Sequence, residues 1–330
     1  MRVLVTGGAG FVGSNFVRHL LATDPAAEVT NLDKLTYAGN RASVADLDAD
    51  PRHRLVVGDI CDAALLAEVV PGHDVVVNFA AETHVDRSIV APLEAVRTNA
   101  LGVATLAEAA RLAQVGRFVQ VGTDEEYGSI AEGSFREADR LAPSSPYSAA
   151  KAGGTLLALA YATTFGLDVV VTRCTNNYGP FQLPEKVVPL FVTNLLDGHP
   201  VPLYGRGGNV RDWLYVLDHC AAVDLVLRRG ASGQIYNVAA GNELSNLELA
   251  RRILAAFGAG EELIEHVADR PGHDWRYALD ASRVRELGWA PAHDFDAALA
   301  ATIDWYRANE AWWRPLKPLG ARRTLDHGRR

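Results

Sequence analysis

Two groups of side chains in this sequence are suited to moving protons. Tyr147 and Lys151 are four residues apart, so on a helix both lie on one face. A lysine ammonium close to a phenol favours the phenolate, which can take a hydroxyl proton near neutral pH. Hydride transfer from a carbinol to a nicotinamide requires the removal of that proton. Such a pair also arises by chance, so its context must decide.

The second group is acidic. Asp124, Glu125 and Glu126 follow Thr123, directly after the mostly apolar segment 118–122. Acids in a loop usually form a solvated turn, but the carboxyl end of a parallel strand is where catalytic groups collect. Two carboxylates there can divide roles, one ionised as the base and one protonated as the acid. We therefore interpret these residues as an acid–base site shared with the tyrosine and the lysine.

A glycine-rich loop follows the first apolar run. Gly7, Gly10 and Gly13 permit a tight turn, the close approach of a pyrophosphate, and close packing of the next helix. That helix directs its N–H groups towards the phosphates. Asp33 ends the second run, twenty residues after Gly13. A carboxylate there binds a ribose 2′-OH and repels a 2′-phosphate, so we expect NAD rather than NADP. The alternative is a glycine turn without a ligand.

The elements that must position these groups alternate between strands and helices. The segments 2–6, 28–32, 55–58, 75–79, 118–122 and 169–173 read as buried strands, and 11–22, 91–113 and 147–165 as helices. This alternation predicts an α/β fold, a Rossmann-type doubly wound parallel sheet.

The second half of the chain follows a different pattern. The segment 174–211 is irregular with a helix near 187–196, followed by helices at 217–228, 246–257 and 295–309 and a strand at 235–238. We expect an NAD-binding domain at 1–175, a smaller C-terminal α/β substrate-binding domain at 176–316 with some segments returning to the first, and a tail at 317–330.

Composition excludes other classes of protein. The net charge is −8 without a basic stripe, which disfavours nucleic acid as a partner. No apolar run reaches the ~20 residues that span a bilayer, and the early glycines do not suit a signal peptide. Cys61, Cys174 and Cys220 form no CxxC pair, so we expect free thiols in the cytoplasm and no metal site.

The chain resembles the extended short-chain dehydrogenase/reductases, and within them the dTDP-glucose 4,6-dehydratases, from Met1 to about Leu316. The motifs that carry the resemblance are the glycine loop and the segments 32–40, 80–88, 123–125, 147–151, 173–180, 184–186, 202–205, 209–213 and 270–274. The Thr-Asp-Glu triplet at 123–125 is the most specific of them, because related sugar epimerases and decarboxylases carry other residues there.

The resemblance implies a lyase that oxidises a nucleotide glucose at C4, eliminates water across C5 and C6, and returns the hydride to C6, with tightly bound NAD regenerated in each turnover. Tyr147 is implied to deprotonate the 4-hydroxyl, Thr123 to bond the same oxygen, and Lys151 to bind the nicotinamide ribose. Glu125 is implied to remove and return the C5 proton, and Asp124 to protonate the departing C6 hydroxyl.

The resemblance and the strand ends together give two sets of binding residues. Those expected to bind the cofactor are Gly7, Gly10, Phe11, Val12, Gly13, Asp33, Lys34, Thr36, Asp59, Ile60, Phe79, Ala80, Ala81, Thr98, Tyr147, Lys151 and Asn176. Those expected to bind the dTDP-sugar are Glu82, Thr83, Thr123, Asn177, Lys186, Val187, Pro202, Tyr204, Arg211, Asn246, Asp269 and His273.

Two of these assignments, and the role of Asn99, have open alternatives. Arg211 is the natural diphosphate partner, since a guanidinium fork matches phosphate oxygens, or it forms a surface salt bridge with Asp212 or another acid. Tyr204 offers its ring to the base or is a core aromatic. Asn99, on the predicted helix 91–113 behind the sheet, belongs to the cofactor site or hydrogen-bonds neighbouring backbone.

The chain departs from the family pattern at three positions. Gly122 stands where a serine or another small polar residue is more usual, Glu126 replaces an apolar residue, usually valine, and Trp275 replaces a charged or smaller one. A buried Glu126 is expected to raise the proton affinity of its acidic neighbours through like-charge repulsion.

Two other functions stay open at this stage. One is another nucleotide-sugar enzyme of the same fold: a 4-epimerase, a decarboxylase, or a dehydratase acting on a UDP- or CDP-sugar. The other is an NAD-sensing protein without chemistry. The resemblance also implies a homodimer, formed when the helices 91–113 and 147–165 pair with their symmetry mates.

Overall fold

The computed structural model describes residues 1–269 and 273–317. Arg270, Pro271 and Gly272 of the motif at 270–274 lie outside the described residues. So does the predicted tail, apart from Lys317.

The described strands form one large sheet and two small ones. They are β1 (Arg2–Thr6), β2 (Glu28–Asp33), β3 (His53–Val57), β4 (Val75–Asn78), β5 (Arg117–Thr123), β6 (Val169–Cys174), β7 (Asn176–Tyr178), β8 (Val201–Tyr204), β9 (Val210–Tyr215), β10 (Ile235–Val238), β11 (Glu243–Ser245) and β12 (Ile264–Val267). The large sheet is parallel throughout, in the order β10-β6-β5-β4-β1-β2-β3. The order reverses beside β1, as in a doubly wound sheet.

Helices cover both faces of this sheet. The α-helices are α1 (Phe11–Thr23), α2 (Ala63–Val69), α3 (Val85–Val90), α4 (Pro92–Val96), α5 (Val103–Leu112), α6 (Pro146–Phe165), α7 (Val187–Leu196), α8 (Val216–Arg229), α9 (Asn246–Ala256), α10 (Ser282–Glu286), α11 (Phe295–Ala308) and α12 (Glu310–Trp313). The helices α1 and α8 pack together on one face, and α5 and α6 pack together on the other.

The strands are buried on both faces because their residues alternate between two apolar cores. Along β1, Val3 and Val5 belong to the core under α1 and α8, whereas Leu4 belongs to the core under α5 and α6. Nearly continuous runs of valine and leucine suit a parallel sheet covered on both sides. The predicted α/β Rossmann-type fold is confirmed.

The predicted single helix at 91–113 is wrong in detail. Helix α4 is followed by a π-helical stretch, Arg97–Gly102, before α5 begins. This stretch presses the backbone of Asn99 against α6, where a Cβ at Gly154 would collide with the carbonyl oxygen of Asn99. Wider helical turns of this kind occur mostly as single insertions, often at functional sites.

The second half of the chain contributes to both parts of the molecule. Strands β11, β9 and β7 form one small sheet, and β12 and β8 form another. They share a separate apolar core with α7, α9 and α11. The segment from α8 to β10 returns to the large sheet, where β10 pairs with β6. Within the described part of the chain, no helix is long and apolar enough to cross a membrane.

Candidate active site

The glycine loop between β1 and α1 leaves space that side chains would fill. Gly7 has a φ of +71°, and a Cβ there would lie 2.6 Å from the backbone nitrogen of Ala80. A Cβ at Gly13 would collide with the carbonyl oxygen of Gly7. Gly10 begins α1 without a side-chain cap, which leaves backbone N–H groups at this end for a ligand. The loop therefore fits a dinucleotide pyrophosphate.

Asp33 lies beside this loop at the carboxyl end of β2. One carboxylate oxygen accepts a hydrogen bond from Ala9 N at 2.9 Å, and the other accepts one from Leu35 N at 2.8 Å. These bonds fix the carboxylate at the rim of the cleft, although burial raises its pKa. Each oxygen keeps acceptor capacity for a ribose hydroxyl. Nearby, Lys34 pairs with Asp59 at 2.9 Å.

The acidic group forms a short 3₁₀ turn directly after β5. Thr123 caps this turn: its Oγ1 accepts from Glu125 N at 3.4 Å and donates to Asp124 Oδ1 at 3.1 Å. Asp124 is buried, and within the described residues its Oδ2 has no hydrogen-bond partner. Burial first, and then the charge of Glu125, raises the pKa of Asp124 well above its usual range. Asp124 is therefore suited to act as a protonated acid.

Tyr147 and Lys151 lie in the first turns of α6, both buried. Lys151 Nζ donates to the carbonyl oxygen of Val121 at 2.6 Å. Burial raises the pKa of Tyr147 well above its usual range, and Glu125 adds to the effect. Burial thus opposes the expected phenolate, and burial also lowers the pKa of Lys151.

The third carboxylate has a structural partner. Glu126 is fully buried, and its Oε2 accepts from Arg173 Nε at 2.8 Å while its Oε1 accepts from Thr155 Oγ1 at 2.9 Å. Glu126 is not among the main causes that raise the pKa of Asp124, which are burial and then the charge of Glu125. The guanidinium balances the charge of Glu126, which contributes to the raised pKa of Tyr147 after burial, Glu125, Cys174 and Asp124.

One cleft brings most of the predicted site residues together. It is lined by all five predicted catalytic residues, by every residue of the predicted cofactor set, and by Glu82, Thr83, Thr123, Asn177 and Lys186 of the substrate set. The seven remaining substrate residues do not line it: Val187, Pro202, Tyr204, Arg211, Asn246, Asp269 and His273.

Sequence reasoning did not select twelve further lining residues: Leu32, Ala38, Gly39, Gly58, Glu94, Val121, Gly122, Cys174, Thr175, Gln182, Leu183 and His219. Four of them adjoin a predicted residue, namely Leu32, Gly58, Gly122 and Thr175, so widening the predicted set by one position would have found these four. His219 had no such signal, because it is a single histidine within a predicted helix. In the described ranges, no group of three or more His, Cys, Asp or Glu side chains could hold a metal ion.

Glu82 and Thr83 are fixed by contacts from three directions. The phenol of Tyr37 donates to the carboxylate of Glu82. Asn99 accepts from Glu82 N at 2.8 Å and donates to Glu82 O at 3.0 Å, so the backbone alternative for Asn99 is correct. Lys186 Nζ donates to Thr83 O at 2.9 Å, which ties this loop to the second half of the chain.

Arg211 is held by backbone rather than by an acid. Its guanidinium donates to the carbonyl oxygens of Val210, Asp274 and Trp275 and lies 4.3 Å above the ring of Tyr277. The alternative pairing with Asp212 is wrong, because Asp212 accepts from the backbone nitrogens of Gly241 and Asn242 instead.

Two donors of Arg211 stay available for a ligand. Within the described residues, its three hydrogen bonds to those carbonyl oxygens come from Nη1 and Nη2. A guanidinium has five N–H donors, so Nε–H and one further N–H remain, and such donors match phosphate oxygens.

The other predicted nucleotide residues gather at the end of β8. His273 Nδ1 and Asp269 Oδ1 are 2.6 Å apart, and the ring of Tyr204 meets the ring of His273 edge-on at 5.9 Å. Tyr204 is half-buried, so it is not a core aromatic. Three more residues of the predicted substrate set lie in β8 or at the start of a helix: Pro202 belongs to β8, Val187 begins α7, and Asn246 begins α9.

The fold and the site define a class of protein, a dinucleotide-binding α/β enzyme of the short-chain dehydrogenase type, and the comparisons agree with it. The GDP-mannose 4,6 dehydratase family matches residues 4–302. Two proteins named dTDP-glucose 4,6-dehydratase, from Streptomyces niveus and Streptomyces antibioticus, are each 56% identical over 96% of this chain and 96% of their own length. The chain belongs to the dTDP-glucose 4,6-dehydratase family.

Solved structures are similar over the same length. DesIV, a dTDP-glucose 4,6-dehydratase from Streptomyces venezuelae with NAD and dTDP bound, has a TM-score of 0.94 and 56% identity, covering 96% of this chain and 100% of its own. A dTDP-glucose 4,6-dehydratase from Bacillus anthracis in complex with NAD has a TM-score of 0.90 and 46% identity over the same shares. A UDP-glucose 4-epimerase from Thermus thermophilus in complex with NAD has a TM-score of 0.86 and 33% identity, covering 94% and 100%.

Proposed function

We propose that this chain is an NAD-dependent dTDP-glucose 4,6-dehydratase, a lyase that converts dTDP-glucose to dTDP-4-keto-6-deoxyglucose. The observation that carries the proposal is the pairing of Asp124 and Glu125 beside Tyr147 in one cleft. Oxidation at C4 by a bound cofactor needs only the tyrosine among these side chains, as the base. The elimination of water needs an acid and a further base in addition. A buried Asp124 that keeps its proton beside another carboxylate provides this division of roles.

The residues of the chain would act in sequence on the sugar. Tyr147 takes the proton of the 4-hydroxyl, and Thr123 Oγ1 hydrogen-bonds the same oxygen. The resulting ketone acidifies the proton on C5, which Glu125 removes. Asp124 protonates the departing hydroxyl on C6, and water leaves. Glu125 then returns its proton to C5.

The cofactor fits the residues described above and has one role. Bound NAD would accept the hydride from C4, return it to C6, and bring a positively charged ring to the part of the cleft that holds the phenol. The charge of that ring would lower the pKa of Tyr147, which burial raises, and would so favour the phenolate that accepts the proton of the 4-hydroxyl. Lys151, whose Nζ donates to the carbonyl of Val121, would bind the nicotinamide ribose.

Two relatives and one side chain support dTDP-glucose as the substrate. The relatives from Streptomyces niveus and Streptomyces antibioticus share more than half of their residues with this chain and are named for dTDP-glucose, and DesIV has dTDP bound. The remaining N–H donors of Arg211 would bind the diphosphate. We infer that residues 1–175, with α8 and β10, bind the cofactor, and that the rest of 176–316 binds the nucleotide through the group at the end of β8.

We further infer a homodimer in the cytoplasm. Large apolar side chains are exposed along α3, α4 and α6, among them Val90 at 79%, Leu93 at 78% and Leu156 at 55%. Apolar surface of this extent on neighbouring helices favours pairing with a second copy. The free thiols of Cys61, Cys174 and Cys220 suit a reducing compartment.

Mass spectrometry of dTDP-glucose incubated with the protein in deuterated water tests the activity. We expect the loss of one water and the gain of one deuterium at C5. An unchanged mass with inversion at C4 would instead indicate a 4-epimerase. If dTDP-glucose does not react, the proposed substrate is contradicted. Loss of water from UDP- or CDP-glucose would then show a dehydratase of another substrate, and failure of all three would contradict the proposed reaction as well.

The variant Glu125→Gln tests the assigned base. It should abolish deuterium exchange at C5 while NAD binding and C4 oxidation stay measurable. Glu132→Gln, in an exposed loop, is the matched control and should behave as wild type. Unchanged turnover in Glu125→Gln would contradict the role of Glu125.

A further inference from the structure

His219 has buried ring nitrogens without a partner. It belongs to α8, is fully buried, and lines the cleft. Neither Nδ1 nor Nε2 has a hydrogen-bond partner within the described residues. Burying a polar ring without a partner costs free energy, so buried polar groups are normally paired. A histidine at such a position on a helix that otherwise packs on α1 therefore points to a ligand.

Helix α8 contacts β6 and β7, and the segment where these strands meet is polar in the same way. Thr175 Oγ1 and Asn176 Oδ1 also line the cleft, are buried, and have no partner among the described residues. Burial lowers the pKa of His219 to about 4, so the ring is neutral at pH 7 and presents one N–H donor and one acceptor nitrogen. Together these groups offer donors and acceptors but no charge, which suits a neutral polar group such as an amide.

The position of these polar residues relative to the sheet indicates which end of the cofactor they contact. Asp33 ends β2 and Thr175 follows β6, and these strands are four places apart in the large sheet. At ~4.8 Å per strand this separation is about 19 Å. The Sγ of the adjacent Cys220 lies 3.9 Å from the carbonyl oxygen of Val12, so this part of α8 lies beside the glycine loop. A dinucleotide whose adenosine ribose lies at Asp33 therefore directs its other end towards His219.

We propose that His219, together with Thr175, hydrogen-bonds the carboxamide of the nicotinamide and so orients the ring for hydride transfer. This inference rests on the proposed NAD-dependent function. It makes His219 a cofactor-positioning residue and gives α8 a direct role in the site.

Binding of two ligands to the cofactor-free full-length chain tests the proposal. ADP-ribose shares the adenosine, both phosphates and the second ribose with NAD but lacks the nicotinamide. The variant His219→Phe keeps a planar ring and loses both nitrogens. We expect its affinity for NAD to fall about tenfold, the effect of one buried hydrogen bond, with its affinity for ADP-ribose unchanged. Calorimetric titration measures both.

Cys220→Ala is the matched control, because it alters the next buried residue of the same helix. It should leave both affinities at the wild-type values. His219→Gln retains a donor and an acceptor and should recover most of the NAD affinity. If His219→Phe does not fold, His219→Leu, which also loses both nitrogens, takes its place with the same expected result.

Two results would overturn the inference. Equal losses for NAD and ADP-ribose in His219→Phe would show that the histidine supports the whole cleft rather than the carboxamide. Wild-type affinities for both ligands would show that it does not touch the cofactor. A wild-type protein that fails to bind NAD would contradict the proposed function itself, which separates the two failures.

Discussion

A Cβ atom at Gly122 would lie 2.5 Å from Oε1 of Glu126. The carboxylate cannot simply move away, because Thr155 and Arg173 hold its two oxygens. The same Cβ would also lie 3.0 Å from the backbone oxygen of Thr172. The two positions where this chain departs from the family pattern around the catalytic triplet are therefore in contact, and the glycine makes room for the glutamate.

Replacing Gly122 by alanine should destabilise the protein through this contact. We expect a loss of about 1–3 kcal/mol in the free energy of unfolding, the usual cost of overpacking. In the background Glu126→Ala the carboxylate is absent, so the same replacement should cost less. Urea unfolding of the four proteins gives the coupling free energy directly.

The control for this cycle is another glycine-to-alanine change. Gly153 in α6 would place its Cβ 3.8 Å from that of Ala100, an ordinary contact. Gly153→Ala should be neutral, or stabilising by about 0.4–1 kcal/mol because it restricts the unfolded chain. Equal effects of Gly122→Ala with and without Glu126 would show that the two departures are independent.

The ion pair between Arg173 and Glu126 makes a second prediction. Both side chains are almost completely buried, at 2% and 0% exposure. Arg173→Met leaves the glutamate buried without its cation, and we expect a loss of about 3–5 kcal/mol. Differential scanning calorimetry measures the effect.

The double variant Arg173→Met with Glu126→Gln separates charge from packing. It removes both charges and should recover a large part of the lost stability, since replacing a whole buried pair is often close to neutral. Recovery would assign the loss to the unpaired carboxylate. No recovery would assign it to the contacts of the arginine with Tyr127, whose phenol oxygen it reaches at 2.8 Å.

Local patterns predicted the large sheet well because its strands are decided by local sequence. Valine runs bounded by glycine and aspartate specify buried strands, and the glycine loop must follow the first of them. The π-helical stretch Arg97–Gly102 could not be predicted, because it contacts α6 and hydrogen-bonds the backbone of Glu82, and both are remote in sequence.

The candidate site also has features that local sequence predicts and features that depend on remote contacts. Residues at strand ends reach the cleft together because the carboxyl ends of parallel strands share one edge. The partner of Glu126 was missed because Arg173 is 47 residues away, on the neighbouring strand. The raised pKa of Tyr147 could not be predicted either, since it depends on burial by the folded chain rather than on the spacing to Lys151.

The proposed homodimer predicts a change of oligomeric state. Leu93 in α4 is 78% exposed and lies among the exposed apolar residues of α3 and α6. Leu93→Glu should place a charge in the interface and yield a monomer in sedimentation velocity. Val57, 60% exposed at the end of the edge strand β3, is the matched control. Val57→Glu should stay dimeric, and a wild-type monomer would contradict the proposal.

Asp124 makes the last prediction, which concerns pH. Its folded-state pKa is raised, so the folded state binds this proton more tightly than the unfolded state does. The associated stability is fully present below the unfolded pKa of about 3.9, and it is lost as the pH rises towards the folded pKa. The asparagine in Asp124→Asn cannot ionise, so this variant does not lose stability in this way as the pH rises. Its stability relative to wild type should therefore grow as the pH rises from about 4 to 8.

Activity should change in the opposite direction. An asparagine cannot deliver a proton to the departing hydroxyl, so we expect kcat to fall about 10²–10⁴-fold. In the wild type, kcat should decline on the basic side as Asp124 loses its proton. Urea unfolding at several pH values and a pH–kcat profile check both halves. A stability difference between Asp124→Asn and wild type that does not depend on pH would show that Asp124 is ionised in the folded protein, and the assignment of the general acid would then have to move to another residue.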